Sequence, residues 1–258
     1  MKRILGAAGL VLAGFAAGLV WLAPANKLLG LALPEGPEVP QFRGVEGRLL
    51  AGRAAQVQAG KVQVEDVSWW LSPWALPLGR VDAELALQLA PEVPARGHVQ
   101  LRPDGKLRLE DWRARLSIEA LKPVLNIPFL PVAGVAALHL DQARVSAEGQ
   151  AEALDGTLTL RGLRWTLLKP EAPLGDYRID IATQEDGRIV GTVQEQPGAA
   201  LQARGDLTLF PDGRYALNVR ITPTEQTPPP IRNSLPTMGR PDSDGAYALR
   251  YSGRLPRP

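Results

Sequence analysis

The chain has 258 residues, of which 29 are basic and 27 acidic, giving a net charge of +2. This balance, without a basic run or a basic stripe interleaved with aromatic residues, argues against a nucleic-acid partner. The sequence contains no cysteine, which excludes disulfide bonds and thiol catalysis. Its 26 glycines and 24 prolines are typical of a chain built from short strands and turns.

In chain order, the first element is an uncharged apolar run from Ile4 to Ala23. An α-helix rises about 1.5 Å per residue, so about 20 residues span the hydrocarbon core of a bilayer. The run predicts a transmembrane anchor over residues 4–23, with residues 1–3 in the cytoplasm. Within it, Gly14 and Gly18 form a GxxxG pair, which is either a packing surface for a partner helix or the usual small-residue composition of a short anchor.

The flanking charges predict the orientation of the chain. Lys2 and Arg3 precede the apolar run and Lys27 follows it. Positive charge favours the cytoplasmic side, so the rest of the chain is expected to cross the membrane. A cleaved signal peptide is the alternative, because Ala23-Pro24-Ala25 fits the small-x-small cleavage pattern, although the run is longer than a usual h-region. Both interpretations export the body.

After a Pro-rich tether at residues 24–40, the sequence has the pattern of a β protein. Apolar and polar residues alternate from Val81 to Leu89 and from Leu201 to Leu209. Alternation with a period of two indicates strands with one buried face and one face in water. A body of this size is one large β domain or two small ones. We predict an exported, mainly β domain over residues 41–258.

Turn signals and a few helix signals separate the strand patterns. Pro103-Asp104-Gly105, Pro211-Asp212-Gly213 and Pro241–Gly245 combine a fixed φ, an Asp that bonds nearby backbone, and a Gly that accepts positive φ. Each predicts a hairpin turn. Short helical turns are expected at Ser72–Leu76 and, between prolines, at Ile231–Leu235.

The sequence lacks the motifs that carry catalysis or bind a metal. His98 and His139, the two histidines, have no partners at the spacing of a zinc motif. We find no nucleophile elbow, HExxH motif or phosphate-binding loop. The sequence therefore predicts a protein that is not an enzyme, without a cofactor or a metal. The alternative is an envelope enzyme such as a glycan hydrolase, because any two of the 27 acidic residues could meet in space as a carboxylate pair.

Three of the six tryptophans lie close together in the sequence, at Trp69, Trp70 and Trp74. Indole rings favour the membrane interface, but they also fill the ends of protein cores. We expect Trp69 and Trp74 to plug the end of the core of the sheet, and we leave Trp70 open between the two interpretations.

Four groups of residues follow one another in a fixed order along the body. The first is Gly47–Ala54. The second comprises Trp69, Pro73, Trp74, Gly79 and Arg80, the third Gly175, Asp176 and Tyr177, and the fourth Gly239, Arg240, Pro241, Tyr251 and Gly253. In this order and over nearly the whole chain, they resemble protein N of the type II (general) secretion pathway. The second group, followed by an alternating strand, is also similar to the start of AsmA-like proteins.

The AsmA resemblance implies a curved, elongated antiparallel sheet, a half-barrel with an apolar concave face and a few short helices. The type II resemblance implies an accessory, bitopic inner-membrane component that acts as a periplasmic scaffold in the export of folded proteins. Its partners would be other subunits of that machine, in the inner-membrane platform or the secretin. The motif positions would be structural. The alternative is an AsmA-like envelope protein that binds or shuttles lipid along an apolar groove.

Overall fold

Antiparallel strands make up most of the chain that the computed structural model describes, residues 41–59, 62–88, 94–119, 131–147 and 149–254. The chain divides into two compact units, Met1–Pro103 and Asp104–Pro258. The predicted fold class is confirmed to the extent that the described residues are mainly β, with short helices.

The first unit contains five strands, each paired antiparallel with the next along the chain. They are β1 (Gln41–Gly47), β2 (Ala51–Ala59), β3 (Val62–Leu71), β4 (Val81–Gln88) and β5 (Pro94–Leu101). A 3-10 helix, Leu76–Leu78, lies between β3 and β4 and ends at Gly79, where φ is +70°. Strand β4 begins at Val81, the residue at which the alternation of apolar and polar residues in the sequence begins.

The second unit contains eight strands, again paired antiparallel in chain order. They are β6 (Leu107–Ser117), β7 (Val132–Val145), β8 (Ala151–Trp165), β9 (Ala172–Thr183), β10 (Ile189–Glu195), β11 (Leu201–Leu209), β12 (Arg214–Pro223) and β13 (Tyr247–Arg254). Helix α1 (Pro229–Ser234) and a 3-10 helix (Leu235–Met238) lie between β12 and β13. The helical turn predicted near Ile231 is thus confirmed, and it begins at a proline because the first helical position needs no N–H donor.

The predicted anchor at residues 4–23, with Gly14 and Gly18, and the tether at residues 24–40 lie outside the described residues. Within the described ranges, none of the helices combines the length and the apolar character that a membrane span requires.

The Pro-Asp-Gly turn between β11 and β12 is the predicted hairpin. Asp212 Oδ1 accepts the N–H of Arg214 at 3.1 Å, and Gly213 has a φ of +80°. The turn that begins at Pro241 uses the same chemistry, since Asp242 Oδ1 accepts the N–H of Ala246 at 3.0 Å. It joins the 3-10 helix to β13, so the prediction of a hairpin there is wrong.

Gly205 in β11 provides a test of how closely the strands of the second unit approach one another. A Cβ added at this residue would lie 2.0 Å from the carbonyl oxygen of Asn218 in β12. We expect Gly205→Ala to lower the free energy of unfolding by about 2 kcal/mol or more, because backbone must move. Urea unfolding followed by circular dichroism measures this. The control Thr192→Ala, at an exposed position of β10, is expected to change it by less than about 0.5 kcal/mol.

Candidate binding face of the second unit

Two neighbouring rows of residues on one face of the second unit are apolar or glycine across all eight strands. Residues paired directly across antiparallel strands point to the same face, so the register defines each row. One row is Ala114, Leu138, Leu158, Ile179, Val193, Gly205, Val219 and Leu249. The other is Trp112, Leu140, Gly156, Ile181, Gly191, Leu207, Leu217 and Tyr251. We call these two rows the apolar face.

The intervening row points to the opposite face and is polar throughout. Its members are Arg113, His139, Thr157, Asp180, Thr192, Asp206, Asn218 and Arg250. Cross-strand contacts link some of them, such as the hydrogen bond of 3.3 Å from Thr157 Oγ1 to Asp180 Oδ1. This confirms the two-faced strands that the alternation from Leu201 to Leu209 predicts.

The apolar face is only partly covered by the described chain. Most of its side chains are half-buried, and Leu207 and Tyr251 expose 43% and 63% of their surface. The exposed members lie on β11 and β13, towards the last strand of the unit. An exposed apolar surface of this kind is a feature of proteins that bind a partner or an apolar ligand.

One end of the same sheet is closed by a hydrophobic cluster. It comprises Ile118, Leu163, Ala172, Leu174, Tyr177, Ala199 and Ile231. The members come from the residue that follows β6, from β8 and β9, from the β10–β11 hairpin and from helix α1. Helix α1 is therefore held to the sheet by Ile231, its buried residue.

The Gly175-Asp176-Tyr177 motif fastens this closed end. Gly175 has a φ of +97°, and a Cβ there would lie 2.6 Å from the Cα of Ala199 in the β10–β11 hairpin. Asp176 accepts the N–H of Gly162 with its side chain at 2.7 Å, and that of Gln196 with its carbonyl at 2.9 Å. The motif thereby joins β8, β9 and the β10–β11 hairpin.

The hydroxyl of Tyr177 lies within the same end of the sheet. It is 3.1 Å from the carbonyl oxygen of Leu174 and 3.0 Å from that of Leu201, so its single hydrogen is within bonding distance of both acceptors. Burial is the main cause that raises the pKa of Tyr177 to about 12, and the nearby charge of Glu195 contributes to this increase. A tyrosine held neutral in this way suits a structural bond rather than proton transfer.

We expect Tyr177→Phe to lower the free energy of unfolding at pH 8 by about 1 kcal/mol, since a buried hydrogen bond is lost. The wild-type advantage should then shrink as pH rises from 10.0, the ordinary pKa of tyrosine, towards about 12, because the tyrosine of the unfolded chain ionises first. Paired urea titrations at successive pH values test this. A constant difference between the two proteins across that range would contradict the assigned pKa.

At two positions an aromatic ring packs directly against a glycine, and each of these pairs includes a motif residue, Trp69 or Gly253. Trp69 is half-buried and donates its indole N–H to the carbonyl of Leu49 at 2.8 Å, and a Cβ on Gly52 would meet its ring at 2.6 Å. In the second unit, a Cβ on Gly253 would meet the hydroxyl of Tyr215 at 2.6 Å. Glycine is needed at both positions to leave room for the ring.

The expectation that Trp74 plugs the core is wrong. Trp74 is 82% exposed and Trp70 is 66% exposed. Strand β3 ends at Leu71 and the chain turns, so Trp74 lies beyond the sheet and Ala75 becomes the buried residue of this connection.

The remaining motif positions are distributed over turns. Pro73 and Arg80 are half-buried on either side of the 3-10 helix of the first unit. Gly239 follows the 3-10 helix of the second unit with a φ of +143°, and Arg240 and Pro241 are exposed. The structure brings Gly175, Asp176 and Tyr177 together, whereas it places Tyr251 on the apolar face. A structural role for the other positions stays a prediction.

Each histidine has an acidic neighbour in the structure. His98 Nε2 lies 2.5 Å from Asp82 Oδ1, and His139 Nε2 lies 3.3 Å from Asp141 Oδ1. The first pair joins two strands and so could not be found from a short motif. Among the described residues, no group of three or more histidine, aspartate or glutamate side chains is arranged to hold a metal ion.

Comparison with known proteins identifies the family. The profile of the family described as "Type II secretion system (T2SS), protein N" matches residues 41–250. The chain belongs to this family, which confirms the resemblance carried by its ordered motifs.

Three relatives are each named "Type II secretion system protein N". The protein from Aeromonas hydrophila is 29% identical over 99% of this chain and 100% of its own length. That from Vibrio cholerae serotype O1 is 28% identical over the same shares of the two chains, and that from Pectobacterium carotovorum is 26% identical over 90% of each. No solved structure matches the chain.

Proposed function

We propose that this chain is an accessory, non-catalytic component of a type II secretion system and acts as a periplasmic scaffold in the export of folded proteins. Family membership supports the assignment to the secretion system. The apolar face supports a binding role, because its exposed members Leu207 and Tyr251 lie on β11 and on the last strand of the unit, β13. This open face is the observation on which the proposal chiefly depends.

The proposal includes a single-pass topology. Residues 4–23 would be the anchor in the inner membrane, where Gly14 and Gly18 would pack against a partner helix, and residues 24–40 the tether. The charge of Lys2 and Arg3 supports a periplasmic location for residues 41–258. Twist accumulating over successive antiparallel strands supports a curved, AsmA-like half-barrel in that body.

Strand β13 offers a route for partner binding. It pairs with β12 on one side, and its residues alternate between the apolar face and the polar face. A strand from another subunit that paired with its other edge would extend the sheet through backbone hydrogen bonds. Its apolar side chains would continue the row that ends at Tyr251. The partner would be a subunit of the inner-membrane platform or the secretin.

Tyr251→Asp tests this route. The substitution places a charge on the exposed apolar end of β13, where burying it against a partner is costly. We expect a strain lacking the chromosomal copy and complemented with this variant to export a type II substrate several-fold less than wild type. The measurement is the substrate in the culture medium, with cellular levels of the variant followed by immunoblotting.

The matched control is Ser252→Asp, one residue later and exposed on the opposite face. It should export normally. Equal loss with both variants, or normal export with Tyr251→Asp, would contradict binding through the apolar end of β13.

A second candidate function is favoured by the width of the apolar face. Leu207 is 43% exposed near the C-terminal end of β11, two strands away from the edge strand β13, where an acyl chain could lie. The chain would then bind or shuttle lipid along this face, as the AsmA resemblance implies. In the first unit, considered by itself, Leu85 of β4 pairs directly with Trp69 of β3 and so lies on the same face as that ring.

Photo-crosslinking separates lipid from protein occupants. We expect a photoreactive residue at Leu207, and a second at Leu85, to capture phospholipid in cells if the face carries lipid. The control is the same residue at Arg204, which is exposed on the polar face of β11. Mass spectrometry of the adducts gives the result. Capture of protein neighbours alone would contradict the lipid function and would be consistent with the scaffold function.

A further inference from the structure

One end of the first unit gathers exposed hydrophobic residues. The described chain exposes nine large hydrophobic residues, and five of them lie here: Trp70, Trp74, Leu78, Val81 and Leu101. Hydrophobic residues scattered singly on a surface are ordinary, whereas a group of this kind marks an interaction site. We call this end of the unit the tryptophan tip.

Backbone hydrogen bonds show that the segments of the tip are neighbours. The N–H of Leu71 donates to Leu50 at 2.7 Å, which joins the end of β3 to the β1–β2 turn. The N–H of Ser72 donates to Asp82 at 2.8 Å, which joins the next turn to β4. Val81 pairs directly with Leu101 at the end of β5. The segments of the tip are therefore neighbours within a single unit, with Trp70 on the face of Glu84 and with Val81 and Leu101 on the opposite face.

The acidic residues nearest to the tip, Asp82 and Glu84, belong to strand β4, and Glu84 pairs directly with Trp70, whereas the connecting segments of the tip carry only positive charge. These connecting segments, residues 47–52, 71–81 and 101–103, contain three arginines and no acidic residue. Arg48 and Arg102 are exposed, and Arg80 is half-buried. A surface of this kind is complementary to anionic phosphate groups.

Trp70 and Trp74 of the tip differ from their neighbour Trp69 in the hydrogen bonding of the indole N–H. Trp69 donates to the carbonyl of Leu49 at 2.8 Å. Within the described ranges, Trp70 and Trp74 have no such bond, and both rings are mostly exposed. An indole with a free N–H and an exposed ring is suited to the headgroup level of a bilayer, where the ring meets acyl chains and the N–H meets polar groups.

We infer that the tryptophan tip is a second membrane contact of this chain, one that lies on an anionic phospholipid surface. Trp74 and Leu78 enter the headgroup region, and Arg48 and Arg102 bind lipid phosphates. The contact goes beyond the proposed scaffold role, because it orients the first unit at a bilayer instead of merely tethering it nearby. It rests on the contacts within the first unit and does not depend on how residues 4–23 are arranged.

The test uses the full chain in nanodiscs, with one fluorophore on a single introduced cysteine. Because the chain has no cysteine, the label reports one site only. Leu78→Cys places the label at the tip, and Gln58→Cys places it at an exposed position near the other end of β2. Lipids that carry a nitroxide at the headgroup quench a fluorophore that reaches the interface. The nanodiscs contain phosphatidylcholine with or without phosphatidylglycerol.

We expect strong quenching of the Leu78→Cys label in nanodiscs with phosphatidylglycerol, and weak quenching of the Gln58→Cys label. Each arginine near an anionic surface contributes about a fivefold change in partitioning, so Arg48→Gln and Arg102→Gln should lower the bound fraction in steps of this size. Added salt should do the same. Trp74→Ala should weaken the contact with the charges unchanged.

Equal quenching at the two label sites, or quenching at the tip that is unaffected by phosphatidylglycerol and by the arginine substitutions, would overturn the inference. So would binding of the tip to a purified secretion subunit without any lipid-dependent signal. If the chain does not insert through its N-terminal segment, flotation with vesicles of the same two compositions measures whether the protein binds to phosphatidylglycerol. Failure of insertion would count against the proposed anchor, and failure of tip quenching in bound protein would count against the tip.

Discussion

The cross-strand register of the second unit is the constraint on which its other features depend. Each strand pairs with the next one along the chain, so a shift of one residue in any pair would move an apolar side chain onto the polar face. The register is kept over eight strands, and it aligns residues as far apart in sequence as Ala114 and Leu249. An amphipathic sheet of this width arises from pairwise alignment and needs no long-range motif.

Glycine allows this alignment to be tight. At Gly205, Gly156 and Gly175, a Cβ would collide with backbone of a neighbouring strand or hairpin. Gly205 and Gly156 lie within the apolar rows. If polarity were the only requirement there, a larger apolar residue would also be suitable. Their identity is set by close approach of the backbone, and polarity sets the identity of the residues around them.

Much of the fold follows from local patterns in the sequence, and the candidate site follows from them less directly. Alternation correctly predicts β11 from Leu201 to Leu209, and the Pro-Asp-Gly signal correctly predicts the hairpin that follows it. The apolar rows could not be assembled in the same way, because irregularities such as Asp111, with a φ of +50°, shift which residues face one another. Trp74 shows a related difficulty, since a large hydrophobic residue one turn beyond a strand has no core to enter.

The consecutive order of the strands has a consequence for how the protein is made. Within each unit, every strand pairs with the one synthesised before it, so each pairing contact joins residues of consecutive strands. A chain that emerges gradually, N-terminus first, can add one strand at a time without waiting for its C-terminus. The bond from Tyr177 to Leu201 and the packing of Ile231 come later, so they would seal a sheet that is already largely assembled.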